Sequence, residues 1–263
     1  MSKNILKPKK CFGQNFLTNP RVKNRIIDSC DLKSTDIILE IGPGDGRLTR
    51  LIAPKVKKVI AVEIDTNLYK NFLVPEFKNS NVEVWNEDIL NFPFDKLPNQ
   101  VKIIGNLPYN ISTPILEKAL NFYQKFHSFY MTVQLEFGQR LVANPDSKKY
   151  GSLSCFVQYQ AQSKLLFKIS RNSFYPAPKV ESCFISLHFP ETPLYQITNK
   201  EIFLKIIHKA FEQRRKTITN SLSSFAQKKD IILLFESLNI NPKFRAENLS
   251  IENFVDIANN LCK

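Results

Sequence analysis

Short β-branched or apolar runs bounded by turn residues alternate with helical spacings through the first half of the chain. Strands are predicted at DIILEIG (36–42), KVIAVEID (58–65), VEVWNED (82–88), VKIIGN (101–106) and FYMTVQLE (129–136), with helices near 46–54, 66–74 and 113–125. Strands alternating with helices build βαβ units and hence a parallel, doubly wound sheet. SKLLFKIS (163–170) and CFISLHF (183–189), separated by the proline-containing NSFYPAPKVES, read as a strand pair at one edge, so the sheet is expected to be mixed. After Pro190–Pro193 the strand patterns stop. Helical ones follow: EIFLKIIHKAFEQ, RKTITNSLSSFAQ, DIILLFESL and IENFVDIANN. The chain is therefore divided into an α/β domain over 1–190 and a small all-helical domain over 191–263.

Composition narrows the class. The 263 residues, 43% hydrophobic and 23% charged, suffice for two domains with packed cores. No apolar run approaches the ~20 residues of a membrane span, and MSKNILKPKK has no secretory apolar stretch, so a soluble, cytoplasmic protein is expected. Cys11, Cys30, Cys155, Cys183 and Cys262 are scattered, with no C-x-x-C pair, and His127, His188 and His208 lack ligand spacing. Neither a disulfide framework nor a metal is expected. The net charge of +13 is uneven. Residues 1–35 hold 8 Lys and Arg against 2 acidic residues, 36–137 hold 11 against 12, and 138–190 hold 7 against 2. A neutral block between basic segments fits a small-molecule site flanked by a polyanion surface.

The chemistry-bearing motifs fall at successive strand ends. ILEIGPGDG ends its strand at Glu40 and turns through Gly42, Gly44 and Gly46; Arg47 stands where a dinucleotide fingerprint has its last glycine. The acidic start suits a cationic ligand better than a pyrophosphate. Glu63, at the next strand end, can accept both hydroxyls of a ribose. Asp88, after the third strand, can accept from an adenine amine. After the fourth strand comes IGNLPYN. The amine of adenine is a weak nucleophile because its lone pair is delocalised, and it needs acceptors rather than a base. Asn106 Oδ1, with a backbone carbonyl at Leu107 or Pro108, can hold its two N–H groups, Pro108 keeps Leu107 extended, and Tyr109 offers a stacking face.

With these motifs the chain resembles the small-subunit rRNA adenine-N6,N6-dimethyltransferase family. The matching segments are CFGQNFL (11–17), LEIGPGDGRLT (39–49), AVEID (61–65), NEDIL (86–90), IGNLPY (104–109), YGSLSCFVQ (150–158), SFYPAPKVES (173–182) and FEQRRKTITNSL (211–222). The resemblance implies a Rossmann-like class I methyltransferase with a seven-stranded mixed sheet and a helical C-terminal domain that binds rRNA. It implies S-adenosylmethionine as co-substrate, no metal, and contacts to it from Asn15, Leu17, Gly42, Glu63, Asp88 and Asn106. It places the catalytic group on Asn106, Leu107, Pro108 and Tyr109, with Phe174 as a second stacking aromatic against the target base. Lys9 and Lys10 of the arm and Arg214, Arg215 and Lys216 are expected to grip RNA phosphates. The implied substrate is two adjacent adenosines near the 3′ end of small-subunit (16S) rRNA in a partly assembled 30S subunit, and the chain is expected to act as a monomer away from membranes. Three rivals remain: a large-subunit adenine methyltransferase of the macrolide-resistance type, a non-catalytic nucleic-acid-binding factor of the same fold, and a nicotinamide oxidoreductase. The intact Glu63, Asp88 and NLPY set argues against the second, and Arg47 against the third.

Overall fold

The structure, a computed structural model, describes residues 8, 9 and 12–261. They form two compact units, one of residues up to 138 with 164–191, the other of 139–163 with the residues from 192 onward.

The first unit is built on a seven-stranded sheet. Its strands are β2 (Ile37–Ile41), β3 (Lys58–Glu63), β4 (Val82–Asn86), β5 (Val101–Asn106), β6 (Phe126–Gln134), β7 (Gln162–Ile169) and β9 (Ser182–His188), in the order β4-β3-β2-β5-β6-β9-β7. Pairs β3–β4, β2–β3, β2–β5 and β5–β6 are parallel, whereas β6–β9 is antiparallel, which makes the sheet mixed as expected. Ile38, Leu39, Val59, Ala61, Ile103 and Ile104 are fully buried, as befits central parallel strands covered on both faces. From β2 the chain winds outward to β3 and β4, then returns to place β5 on the other side of β2. A crevice opens at the carboxyl ends of the strands at such a reversal, and ligands bind there in open α/β sheets.

Helices α1 (Pro20–Ser29), α2 (Thr49–Ile52), α3 (Thr66–Leu68), α4 (Val74–Phe77) and α5 (Ser112–Asn121) belong to this unit. Helix α1 starts sharply because Asn19 Oδ1 accepts from the Arg21 and Val22 amides and Pro20 opens the first turn. The predicted helix near 46–54 is shorter than expected. Residues 46–48 are spent on a turn, and a tight turn at Ala53–Lys55, containing Pro54, ends it. The predicted strand at 129–136 ends at Gln134, where α6 (Leu135–Leu141) begins.

A two-residue ladder escapes sequence periodicity. Strand β1 (Phe16–Leu17) pairs antiparallel with β8 (Phe174–Tyr175), and the Thr18 amide donates to the Ser173 carbonyl at 2.8 Å. The arm ahead of α1 is thereby clipped to its own unit.

In the second unit α7 (Ser152–Gln158), α8 (Lys200–Glu212), α9 (Ile218–Ser221), α10 (Lys228–Ser237) and α11 (Ile251–Leu261) enclose a separate core. Phe203, Ile206, Ile207, Phe235, Phe254 and Ile257 are among its fully buried members. The division expected at 190/191 therefore needs correction: 139–163 belong with the helices, because Tyr150, Cys155 and Tyr159 pack into that core. The predicted helix over 215–227 contracts to α9, consistent with the serines at 221, 223 and 224 competing with the backbone for hydrogen bonds. The three described cysteines are free and buried.

Candidate active site

The carboxyl ends of β2, β3 and β5, the 87–89 loop, the start of α5 and the arm enclose a cleft of about 980 Å³ counted to its open mouth. Asn15, Leu17, Gly42, Glu63, Asp88, Asn106, Leu107, Pro108 and Tyr109 all line it. Thus the site residues expected from β2 through β5, with the two from the arm, are brought together.

Glycine is required in the turn after β2 by its backbone conformation. Gly42, Gly44 and Gly46 have φ of +66°, +64° and +79°, a region other residues rarely adopt. A Cβ on Gly42 would meet nothing within 4 Å, leaving open space for a ligand, whereas one on Gly44 would lie 3.0 Å from the Phe16 ring. Above this turn sit two buried carboxylates. Glu63, 4% exposed, accepts from the Gly44 amide at 3.0 Å and the Asp65 amide at 2.9 Å. Burial nevertheless pushes its carboxyl up to about 7. Glu40, 2% exposed, is likewise raised to about 7 by burial, with hydrogen bonding from Thr49 opposing the shift and the Glu63 charge adding to it, and its Oε2 is left without a hydrogen-bond partner of normal geometry. A buried unpaired acceptor in an open cleft is matched by a cationic or N–H-bearing ligand.

The 87–89 loop that lines the cleft is fixed from outside. Asp88 Oδ1 accepts from the Leu90 amide at 2.9 Å. Lys118 Nζ, on α5, donates to the carbonyls of Ile89, Leu90 and Phe92 at 3.0, 2.8 and 2.6 Å, which uses all three of its N–H groups. Burial lowers the Lys118 pKa accordingly.

At the end of β5 the 106–109 loop is equally constrained. Asn106 Nδ2 donates to the Asn15 carbonyl at 2.8 Å, joining the loop to the arm. The Pro108 carbonyl already accepts from the Ile111 amide at 3.1 Å and Ser112 Oγ at 3.0 Å. Tyr109 is half-buried, and its hydroxyl shares a 2.5 Å hydrogen bond with Ser182 Oγ at the start of β9. Burial raises the Tyr109 pKa, so the ring stays neutral.

Phe174 is not brought to the cleft. It is 4% exposed and packs in the core of the first unit with Leu17, Ile26 and Phe184, while its neighbour Tyr175 is 59% exposed. Successive strand residues point to opposite faces, so on β8 only one of the two can face outward. The basic residues also divide. Lys9 Nζ is ion-paired with Asp65 at 2.7 Å, and Arg214 Nη2 is tied to the carbonyls of Lys148 and Tyr150 and to Glu247. Arg215 and Lys216 are exposed, and Lys10 lies outside the described residues. Sequence reasoning missed Ser182, Lys118 and Asp65. Asp65 and Ser182 close the segments AVEID and SFYPAPKVES, but those segments do not show what the side chains touch, since all three act through contacts distant in sequence.

The reversed strand order, the glycine turn and the carboxylates at successive strand ends define a class I methyltransferase. The family model for ribosomal RNA adenine dimethylase matches residues 5–263. A protein of Alkaliphilus oremlandii named ribosomal RNA small subunit methyltransferase A is 39% identical, over 97% of this chain and 92% of its own. One of the same name from Francisella tularensis subsp. novicida is 37% identical, over 96% and 97%. Among solved structures, a dimethyladenosine transferase from Plasmodium falciparum superposes with a TM-score of 0.81 at 26% identity, covering 92% of this chain and 95% of that one. The 23S rRNA methyltransferase ErmE, at 23% identity, shares the fold with a TM-score of 0.78, over 95% and 100%. The chain belongs to the ribosomal RNA adenine dimethylase family and is an rRNA adenine dimethyltransferase.

Proposed function

We propose that this chain transfers methyl groups from S-adenosylmethionine to N6 of two adjacent adenosines near the 3′ end of small-subunit rRNA, working as a monomer on a partly assembled small subunit. The observation that carries the reading is the geometry around Asn106. With Nδ2 committed to Asn15, its Oδ1 is left as an acceptor at the mouth of the cleft. The Pro108 oxygen already accepts twice, so the second acceptor is assigned to the Leu107 carbonyl. Two acceptors hold the two N–H groups of the amine and aim its lone pair into the cleft.

The residues present fit the co-substrate. The unpaired Glu40 Oε2 suits its cationic amino-acid end, Gly42 leaves room for close backbone approach, Glu63 suits paired ribose hydroxyls and Asp88 an adenine amine. When bound, it supplies an electrophilic methyl group on a sulfonium. The chain's own part is to orient: Tyr109, pinned by Ser182, offers a face for an extruded base. As the N–C bond formed and the methyl–sulfur bond broke, leaving a neutral thioether as the departing group, Asn106 Oδ1 and the Leu107 carbonyl would stabilise the growing positive charge on N6, which would then lose one proton to solvent.

Support for the substrate comes from the names borne by the curated relatives, which specify the small subunit. For phosphate contacts, Arg215 and Lys216 are the residues of the basic triplet best placed, Arg214 being engaged elsewhere. Mass spectrometry of small-subunit rRNA from cells with and without the protein is the test. Adjacent dimethyladenosines should vanish with the gene. Their persistence would overturn the proposal.

A further inference from the structure

One carboxylate outside the expected site set carries the arm. Asp65 lies two residues beyond the end of β3, and its side chain is 2% exposed. Its Oδ1 accepts from Lys9 Nζ at 2.7 Å and its Oδ2 from Gln14 Nε2 at 3.0 Å. The arm is also closed on itself, for Gln14 Oε1 accepts from the Lys9 amide at 2.8 Å and the Lys9 carbonyl accepts from the Phe12 amide at 3.2 Å. Phe12 to Leu17 then run along the cleft as one of its walls. From the other side, the Asp65 amide donates to Glu63 Oε1 at 2.9 Å. One residue thus touches both the arm and the carboxylate assigned to the ribose. Burial alone would raise the Asp65 carboxyl, but the hydrogen bonds from Lys9, Gln14 and the Asn67 amide more than offset that and hold it below its ordinary value.

We propose that Asp65 is a positioning residue whose carboxylate latches the N-terminal arm, through Lys9 and Gln14, across the methyl-donor site. Donor affinity then depends on an interaction that touches no donor atom. The inference rests on the reading of the cleft as the donor site. Its physical basis is pre-organisation: a ligand that needs the closed arm has an apparent affinity reduced by the fraction of time the arm is open. The same placement revises the expectation for Lys9, whose ammonium is engaged within the protein rather than waiting for a phosphate.

Asp65 also caps α3, its Oδ1 accepting from the Asn67 amide at 2.9 Å, so a purely local role must be separated from the latch. Asp65→Asn keeps an oxygen for the cap but loses the charge and one acceptor. Lys9→Met and Gln14→Leu dismantle the latch from the arm side and leave the cap intact. Calorimetric titration of the full chain with S-adenosylhomocysteine, without RNA, should show binding weakened about 10-fold by Lys9→Met and by Asp65→Asn. Lys9→Arg should restore most of it, and Lys9→Met in an Asp65→Asn background should add little, because the two share one interaction. Hydrogen exchange at the amides of residues 12–17 should quicken in Lys9→Met and Gln14→Leu. Wild-type affinity together with wild-type exchange in the Lys9→Met/Gln14→Leu double variant would overturn the latch. If the wild-type chain itself fails to bind S-adenosylhomocysteine, the reading of the cleft falls, and exchange in the arm still decides whether Asp65 holds it.

Discussion

Asn106 is already half committed, its amide nitrogen spent on the Asn15 carbonyl, and in the proposed reaction its oxygen is the part left for the substrate amine. Asn106→Ala should lower the single-turnover rate roughly 100- to 1000-fold, by analogy with the loss of one oxyanion-hole donor, while binding of the immature subunit barely changes. Wild-type turnover by this variant would remove Asn106 from the chemical step. Phe174 gives the opposite kind of prediction. It is buried among Leu17, Ile26 and Phe184, so Phe174→Ala should cost about 3 to 5 kcal/mol of stability by leaving a cavity. Phe174→Leu, nearly conserving volume, should retain methylation. Loss of methylation with stability intact in Phe174→Leu would instead restore it as a stacking residue. The paired carboxylates set a pH dependence. Glu40 and Glu63 are raised to about 7 by burial, so below about pH 7 the protonated forms are the favoured ones in the ligand-free fold. Stability should therefore fall as pH rises from about 4.5 towards 7, where the folded protein holds protons that the unfolded chain has released. A donor that needs the ionised forms should bind more tightly over the same window and release protons on binding. Calorimetry between pH 5.5 and 7.5 in buffers of different ionisation enthalpy would show this; a proton count of zero throughout would mean both groups are already ionised before binding.

At the scale of elements, what is legible in the sequence follows from how each element is stabilised. Strands β2, β3 and β5 are buried on both faces, so each reads as a largely apolar run, interrupted only by the buried Glu40 in β2 and Lys102 in β5, and the site residues follow because they stand where those runs end. Ladder β1–β8 has two residues per strand and no periodicity to read, which is why the inward turn of Phe174 has no signature in the sequence. Residues 139–163 sit between strands of the first unit in sequence, yet Tyr150 and Cys155 share a core with α8 and α11; such long-range sharing leaves no local signal. Strand β5 also hides a charge. Lys102 is buried, paired with Asp36 at 2.8 Å and hydrogen-bonded to the Asp31 carbonyl, at the end of the strand away from Asn106. Removing one partner of a buried pair leaves the other uncompensated. Asp36 keeps some access to water, its side chain being 13% exposed, so Lys102→Met should cost about 3 kcal/mol, the low end of the usual range. Urea unfolding monitored by circular dichroism would measure it, and a cost under about 1 kcal/mol would show the pair to be idle.

Over the whole molecule, the charge of +13 divides into cations spent on the protein and cations left for a partner. Lys118 caps carbonyls, Lys102 and Lys9 neutralise carboxylates, and Arg214 holds Lys148, Tyr150 and Glu247. Arg215 and Lys216 follow Arg214 directly and are exposed. A triplet that looks uniform in sequence should therefore behave unevenly. Arg214→Ala should lower the melting temperature of the helical unit by removing that tie, at a cost of about 1 kcal/mol once its exposure is allowed for. Arg215→Ala with Lys216→Ala should leave melting unchanged and weaken rRNA binding. Phosphate contacts supply affinity rather than base choice, so the position of methylation should not move. For every phosphate that the variant no longer neutralises, the dependence of log K on log salt should flatten by about 0.7 to 0.9. Filter binding to immature small subunits across a salt series measures that slope. A double variant with the wild-type slope would show that these two cations are solvated surface, and the RNA grip would then have to be sought among the other exposed lysines and arginines.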